Sequence, residues 1–231
     1  MAVIVDIDHN AGNLNEYDST VTDEGDLSAH ADAALAGTTY GLQCVIDDTT
    51  TIYGAITTFG AQPTTDLRFR FYIDINTLTM ADYDVFTILK FYLSNAPWTL
   101  VNVQLQKWPG GLYKLICIPY NDAGALSTDL ETVTDAPHYV EIYIHRSAAE
   151  DADDGTVEWW IDGVSKGTWT SVDNYDAFAL WNLARFGCQN IEAGTSGTLF
   201  LDELKINDDG GEIGPVVVSN IVPILVNIQN Q

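Results

Sequence analysis

Basic residues are scarce in this chain of 231 residues: nine Lys and Arg stand against 33 Asp and Glu, a formal charge of −24. None precedes Arg68 or follows Lys205. A field of that sign repels phosphate backbones and anionic headgroups, so nucleic acid is not an expected partner and membrane insertion is not expected. No apolar run reaches the ~18 residues that a spanning helix needs. The opening residues, 1–6, show neither the basic n-region nor the long apolar stretch of a signal peptide, and no export signal is expected in them. Cysteine is limited to Cys44, Cys117 and Cys188, which follow no zinc spacing and cannot all pair internally. They are expected as buried small hydrophobes. A Gly-x-Ser-x-Gly elbow, a phosphate loop and a zinc-type His pair are all missing, and His9, His30, His138 and His145 are dispersed.

Helical periodicity is missing as well, apart from a short piece at 27–35. What recurs is alternation, in short segments separated by Gly, Asp, Asn and Pro. Strands are expected at 2–7, 40–46, 52–57, 66–75, 84–93, 99–107, 112–118, 138–146, 156–162, 164–170, 180–187 and 197–206. In 66–75, Leu67, Phe69, Phe71, Ile73 and Ile75 share one face, with Arg68, Arg70, Tyr72 and Asp74 on the other. In 138–146, Val140, Ile142 and Ile144 alternate with Tyr139, Glu141, Tyr143 and His145. The polar run AAEDADDG at 148–155 and the Asp162-Gly163 pair read as reversals between paired strands. Together these predict an all-β fold, an antiparallel two-sheet jelly-roll β-sandwich over residues 1–213. The uncharged apolar stretch at 214–231 is expected to be a tail for docking, self-association or contact with a capsid partner, the alternative being a final core strand.

Three runs carry a family likeness. HYVEIYIHRSAAEDADDGTVEWWIDG at 138–163 resembles the aromatic strand, acidic loop and Asp-Gly strand of the concanavalin A-like and laminin-G-like jelly rolls. RFGCQNIEAGTSGTLFLDELKI at 185–206 is similar to their closing strands, and NLNEYD at 13–18 with AGTTYGL at 36–42 resembles their opening segment. The resemblance implies the sandwich and no single activity, because lectins, glycanases, adhesion modules and virion proteins share it. It also implies a structural Ca²⁺ where the first and last strands meet. Asp202, expected on the face of Phe200, Leu204 and Ile206, would be one ligand there, with Asp6 or Asp8 as companions; the alternative for Asp202 is a carboxylate bonded to backbone N–H groups or placed at a bulge. The cluster Glu150, Asp151, Asp153 and Asp154 lacks the Glu of a calcium loop and reads as solvated.

Related glucanases place three carboxylates on one strand face as Glu-x-Asp-x-x-Glu, for a nucleophile and an acid. Glu24 and Asp26 have the first spacing but are followed by Ala29, and Glu158 and Asp162 share a face with no carboxylate at Ser165. The expected role is therefore a non-catalytic module that binds carbohydrate or a glycosylated surface, working outside the cell or on a virion. The expected ligand face joins Trp160, Tyr143 and His145 to Arg68, Arg70 and Tyr72, extended by Lys90 and Tyr92, with Trp108 and Trp169 at the rim. One alternative is a virion structural protein without glycan binding. The other is a divergent polysaccharide-degrading enzyme, which requires converging carboxylates or a Tyr-His-Arg cluster in a cleft.

Overall fold

Alternating apolar residues give each strand one dry face, and the computed structural model, which describes residues 3–59, 65–94 and 99–216, packs those faces together. Strands are numbered in chain order. The first sheet holds β1 (Val3–Ile7), β3 (Leu27–His30), β4 (Gly41–Ile46), β6 (Asp66–Asp74), β12 (His138–His145), β13 (Gly155–Ile161), β14 (Val164–Val172) and β16 (Gly197–Asn207). Its order is β14-β13-β12-β6-β16-β4-β3, and β1 also pairs with β16. The second holds β2 (Ser19–Val21), β5 (Ile52–Ile56), β7 (Val85–Tyr92), β8 (Thr99–Trp108), β9 (Leu112–Asn121), β10 (Gly124–Ala125), β11 (Asp129–Val133) and β15 (Leu183–Gln189). Its order is β10-β9-β8-β7-β15-β5-β2, with β11 pairing β9. All pairings between these strands are antiparallel, so the predicted all-β two-sheet sandwich is what the chain forms.

The interior is aromatic. Phe69 and Phe71 of the first sheet meet Phe91 and Phe186 of the second at 4.6 and 5.6 Å between ring centroids. Trp181 closes one end against Phe59 and Phe91, just after the short helix α1 (Tyr175–Leu180). All three cysteines are free and buried. Two sequence expectations shift. Residues 27–35, expected to be helical, form β3 and a single 3-10 turn at Ala31–Ala33, because Leu27 buries its side chain while pairing with Cys44 on β4. The strand expected at 180–187 starts at Leu183, after α1.

Alternation breaks at two bulges that matter later. In β15 the register slips between Phe186 and Gln189, at Gly187 with φ +140°, where a Cβ would lie 2.5 Å from the Ile52 carbonyl oxygen. In β16 it slips between Asp202 and Lys205, at Glu203 with φ +53°. Leu199 and Leu201 before that bulge and Leu204 and Ile206 after it all enter the core. Asp202 is thus on the face opposite Leu204 and Ile206, which corrects the shared face expected from unbroken alternation. Its Oδ2 accepts from Leu35 N at 3.0 Å, Ala36 N at 3.3 Å and Thr38 Oγ1 at 2.5 Å, and its Oδ1 from Glu203 N at 2.9 Å. The carboxylate pins the 35–38 loop to the sheet. Asp202→Ala should cost about 3 kcal/mol by leaving these donors unpaired, read as a lower urea midpoint at unchanged m value, and Asp202→Asn should cost less.

Candidate functional site

The outer face of the first sheet gathers six of the eight residues expected to form the ligand face: Trp160, Tyr143, His145, Arg68, Arg70 and Tyr72. Register places Glu141 between Arg70 and Trp160, and Tyr143 between Arg68 and Glu158. Tyr72 and His145 lie on the same face. Their polar groups, however, are engaged with one another. The Arg68 guanidinium stacks 4.6 Å from the Trp160 ring and 5.7 Å from that of Tyr143 while pairing with Glu141. Arg70 pairs with Glu203 at 2.6 Å. Tyr143 donates to Asp66 at 2.6 Å, and His145 Nδ1 lies 2.9 Å from the same oxygen. Burial and the Asp66 bond push the Tyr143 phenol up, holding it protonated.

Residues 208–216 then run across this face. Gly210 O accepts from Arg68 at 3.0 Å and Gly214 O from Arg70 at 3.1 Å. Ile213 N and Gly214 N donate to the Glu141 carboxylate at 2.9 and 3.0 Å, and Val216 N donates to the Tyr72 hydroxyl at 2.8 Å. Arg70 and Glu141 are each 2% exposed. The first three residues of the expected tail thus lie against the sheet, and the rest of that expectation, at 217–231, falls outside the described residues.

The expected cation ligands do not assemble among the described residues. β1 does pair with β16, but Asp202 is saturated by the donors above, Asp6 pairs with Lys205 at 3.0 Å, and Asp8 accepts from Asn10. The residues do not fit the Ca²⁺ site implied by the resemblance. A different acidic group, Asp23, Asp26 and Asp47, brings carboxylate oxygens within 4.8 Å of one another and could hold a metal ion. Burial and the neighbouring Asp47 and Asp23 raise the Asp26 carboxyl.

Lys90 and Tyr92, the other two expected residues, belong to the second sheet, so the single wet face divides between two sheets. On that outer face, register aligns Ala55, Arg185, Lys90, Asn102 and Ile118 in one row across β5, β15, β7, β8 and β9. A cleft of about 200 Å³ opens beside it, lined by Thr51, Lys90, Tyr92, Arg185, Gln189 and Asn190. The guanidinium of Arg185 lies 4.3 Å from the Tyr53 ring centroid and 5.4 Å from that of Tyr92, and Lys90 Nζ is 4.8 Å from Tyr92. Arg68, Arg70, Lys166 and Lys205 all pair with carboxylates; Lys90 and Arg185 face each other with none within 4.0 Å among the described residues. Burial and the Arg185 charge lower the Lys90 ammonium. Burial raises the Tyr92 phenol, with Arg185 acting in the opposite direction. Asn102 Oδ1, Arg185 Nε and Gln189 Nε2 are buried without a protein hydrogen-bond partner.

Sequence reasoning named Lys90 and Tyr92 and missed Arg185, Gln189, Asn102 and Tyr53. Alternation in 99–107 already put Asn102, Gln104 and Gln106 on one polar face. Gln189 could not be placed, because the β15 bulge decides its side.

No protein-family model matches the chain, and no curated protein matches it in sequence. Solved structures do match in fold. Endo-beta-1,4-glucuronan lyase from the fungus Trichoderma reesei superposes with a TM-score of 0.60 at 15% identity, over 89% of this chain and 95% of that one. Alginate lyase vAL-1 from Chlorella virus gives 0.64 at 8% identity, over 89% and 99%. Cellulose induced protein Cip1 gives 0.59 at 17% identity, over 91% and 99%. At these identities the likeness shows the jelly-roll-like sandwich. The neighbours named as lyases count against the expectation of a non-catalytic binding or decoration module and against the expectation of no enzyme activity, and both are withdrawn. That expectation rested on a missing carboxylate set, which glycoside hydrolysis needs and elimination does not.

Release of the 208–216 segment is the test of the closed face. Glu141→Ala should leave Arg68 and two backbone N–H groups unpaired, and cleavage after Glu212 by a glutamate-specific protease should accelerate at least tenfold over the parent chain.

Proposed function

We propose that the protein is a polysaccharide lyase that cleaves a uronate-containing polymer in the cleft of the second sheet. The observation that carries this reading is the pair Lys90 and Arg185: two cations without carboxylate partners among the described residues, in a chain with 33 acidic residues, on a face to which none of the described strands contributes an acid. β2, β5, β7, β8, β9, β10 and β15 contain no Asp or Glu. Asp129 and Glu131 of β11 turn to the other side, where they meet Trp159 Nε1 and Lys166. Two like charges side by side, with the unpartnered donors Arg185 Nε and Gln189 Nε2 among them, suit a carboxylate ligand, and the unpartnered Asn102 Oδ1 suits a sugar hydroxyl. Two fold neighbours are named for uronate polymers, glucuronan and alginate, which supports the same class. The place of action proposed is extracellular, where such polymers lie.

The arrangement supplies the parts of a β-elimination. Arg185, with the Asn102 and Gln189 amides, binds the uronate carboxylate and neutralises the charge that develops when C5 loses its proton. The Lys90 amine takes that proton, and its lowered pKa increases the free-amine fraction at a given pH. The released electron pair forms the C4–C5 double bond as the C4–O bond breaks. The Tyr92 hydroxyl, kept protonated by its raised pKa, gives its proton to the departing oxygen.

Unsaturated products absorb in the ultraviolet, so incubation with polyglucuronate and alginate should raise absorbance, and a neutral dextran should not. Lys90→Ala, Arg185→Ala and Tyr92→Phe should each slow the reaction, the proton-transfer variants by about 10²–10⁴-fold. The rate should climb with pH as Lys90 loses its proton and fall again above the raised pKa of Tyr92. Lys90→Arg should abolish the climbing limb. A chain that leaves both uronate polymers intact, with its fold confirmed, would sink this reading.

A further inference from the structure

We infer that the same face carries a distal subsite for the anionic chain, built from Trp108, Tyr83 and Lys114 at the far end of β8, an inference that rests on the lyase reading above. Pairing of β8 with β9 runs unbroken from Val101 to Trp108, so Asn102, Gln104, Gln106 and Trp108 stand on one face. Asn102 is opposite Lys90 and Gln106 is opposite Lys114. At about 3.3 Å per residue, Trp108 lies roughly 20 Å along the strand from the reaction row, a span of several sugar rings. The surface between is amide and aliphatic, with Gln104 beside Ile116 and Asn102 beside Ile118.

The far end is built as a platform. Trp108 Nε1 donates to Gln106 Oε1 at 2.9 Å, which fixes the indole, and Gln106 Nε2 donates to the Tyr83 carbonyl at 3.2 Å. The Tyr83 ring meets the indole edge-on, with centroids 5.8 Å apart. Lys114 Nζ sits 4.8 Å from the indole centroid and has no carboxylate within 4.0 Å among the described residues. Neither ring belongs to the packed interior, and Tyr83 is 58% exposed. A rim cluster serving stability alone has no need of an unpaired cation in a chain this acidic. A uronate polymer has use for all of it: the apolar faces of its rings stack on the aromatics, and its carboxylates meet Lys114.

The distinguishing readout is chain length. With the ultraviolet assay, Trp108→Ala and Lys114→Ala should each raise KM for the polymer about tenfold at unchanged kcat, and should leave both constants unchanged on the shortest uronate oligosaccharide that is cleaved. Trp108→Phe should restore most of the loss, and matching thermal midpoints should exclude misfolding. Equal effects on short and long substrates, or no effect on either, overturn the distal subsite and leave the lyase reading standing. If the parent chain cleaves no uronate polymer, the lyase reading falls and electrophoresis through gels containing alginate or dextran decides the subsite. Retardation specific to alginate and lost in Trp108→Ala supports it, and absent or unchanged retardation overturns it.

Discussion

Two sheets share one dry interior about 10 Å thick, and everything polar in their strands must go outward, to an edge, or into a satisfied pair. Phe69, Phe71, Phe91 and Phe186 fill that interior, so the residues alternating with them are forced onto two separate outer faces. The two faces receive very different chemistry. On the first sheet, Glu141 and Glu203 meet Arg68 and Arg70 in pairs that the 208–216 segment then covers, while Asp66 meets the more exposed His145 at the margin. Charges buried in this way are satisfied inside the molecule and have little left to offer a ligand. On the second sheet Lys90, Lys114 and Arg185 stand without ion-paired acids among the described residues, and a cleft opens beside Lys90 and Arg185.

Two breaks in alternation finish the arrangement. The bulge at Gly187 lets β15 realign with β7 so that Gln189 comes opposite Thr87 and lines the cleft with Arg185. Glycine is required there, since a side chain would collide with the backbone of β5. The bulge at Glu203 turns Asp202 away from the core and under the 35–38 loop, while Leu204 and Ile206 return to the interior. One bulge shapes a site and the other anchors a loop.

These breaks also mark how far the sequence could be read. The sandwich was legible because Phe69–Phe71 and Val140–Ile144 alternate without interruption, and the first-sheet partners Trp160, Tyr143, His145, Arg70 and Tyr72 followed from the same rule. Alternation says which side of a strand a residue takes, and it does not say which sheet the strand joins. Tyr92 was therefore grouped with Tyr72, although β7 and β6 lie in different sheets. Nor does it reveal that a later segment will cover a face: nothing in NDDGGEIGPV at 207–216 announces hydrogen bonds to Glu141 and Tyr72. Arg185 escaped notice because a single cation in a strand is unremarkable until its neighbour Lys90 and the missing carboxylates are seen together.

To bind the acidic polymer proposed above, an acidic protein needs a local exception to its own charge, and the outer face of the second sheet, to which the described strands contribute no acid, would be that exception. At physiological ionic strength the Debye length is about 8 Å, so carboxylates on the far side of a two-sheet sandwich are largely screened from a chain lying on the second sheet. What that chain meets at close range is Lys90, Arg185 and Lys114 among amides and rings. The inward turn of Asp129 and Glu131, toward Trp159 and Lys166, keeps the edge of the face clear as well. The net charge of −24 favours solubility and discourages contacts with other polyanions, while the proposed recognition would depend on groups within a few ångströms of the sugar. The same segregation explains why the Lys90 pKa is lowered: with no carboxylate beside it among the described residues to hold the proton, burial and Arg185 act unopposed. Charge placement and acid-base chemistry at the cleft are one property of the second sheet.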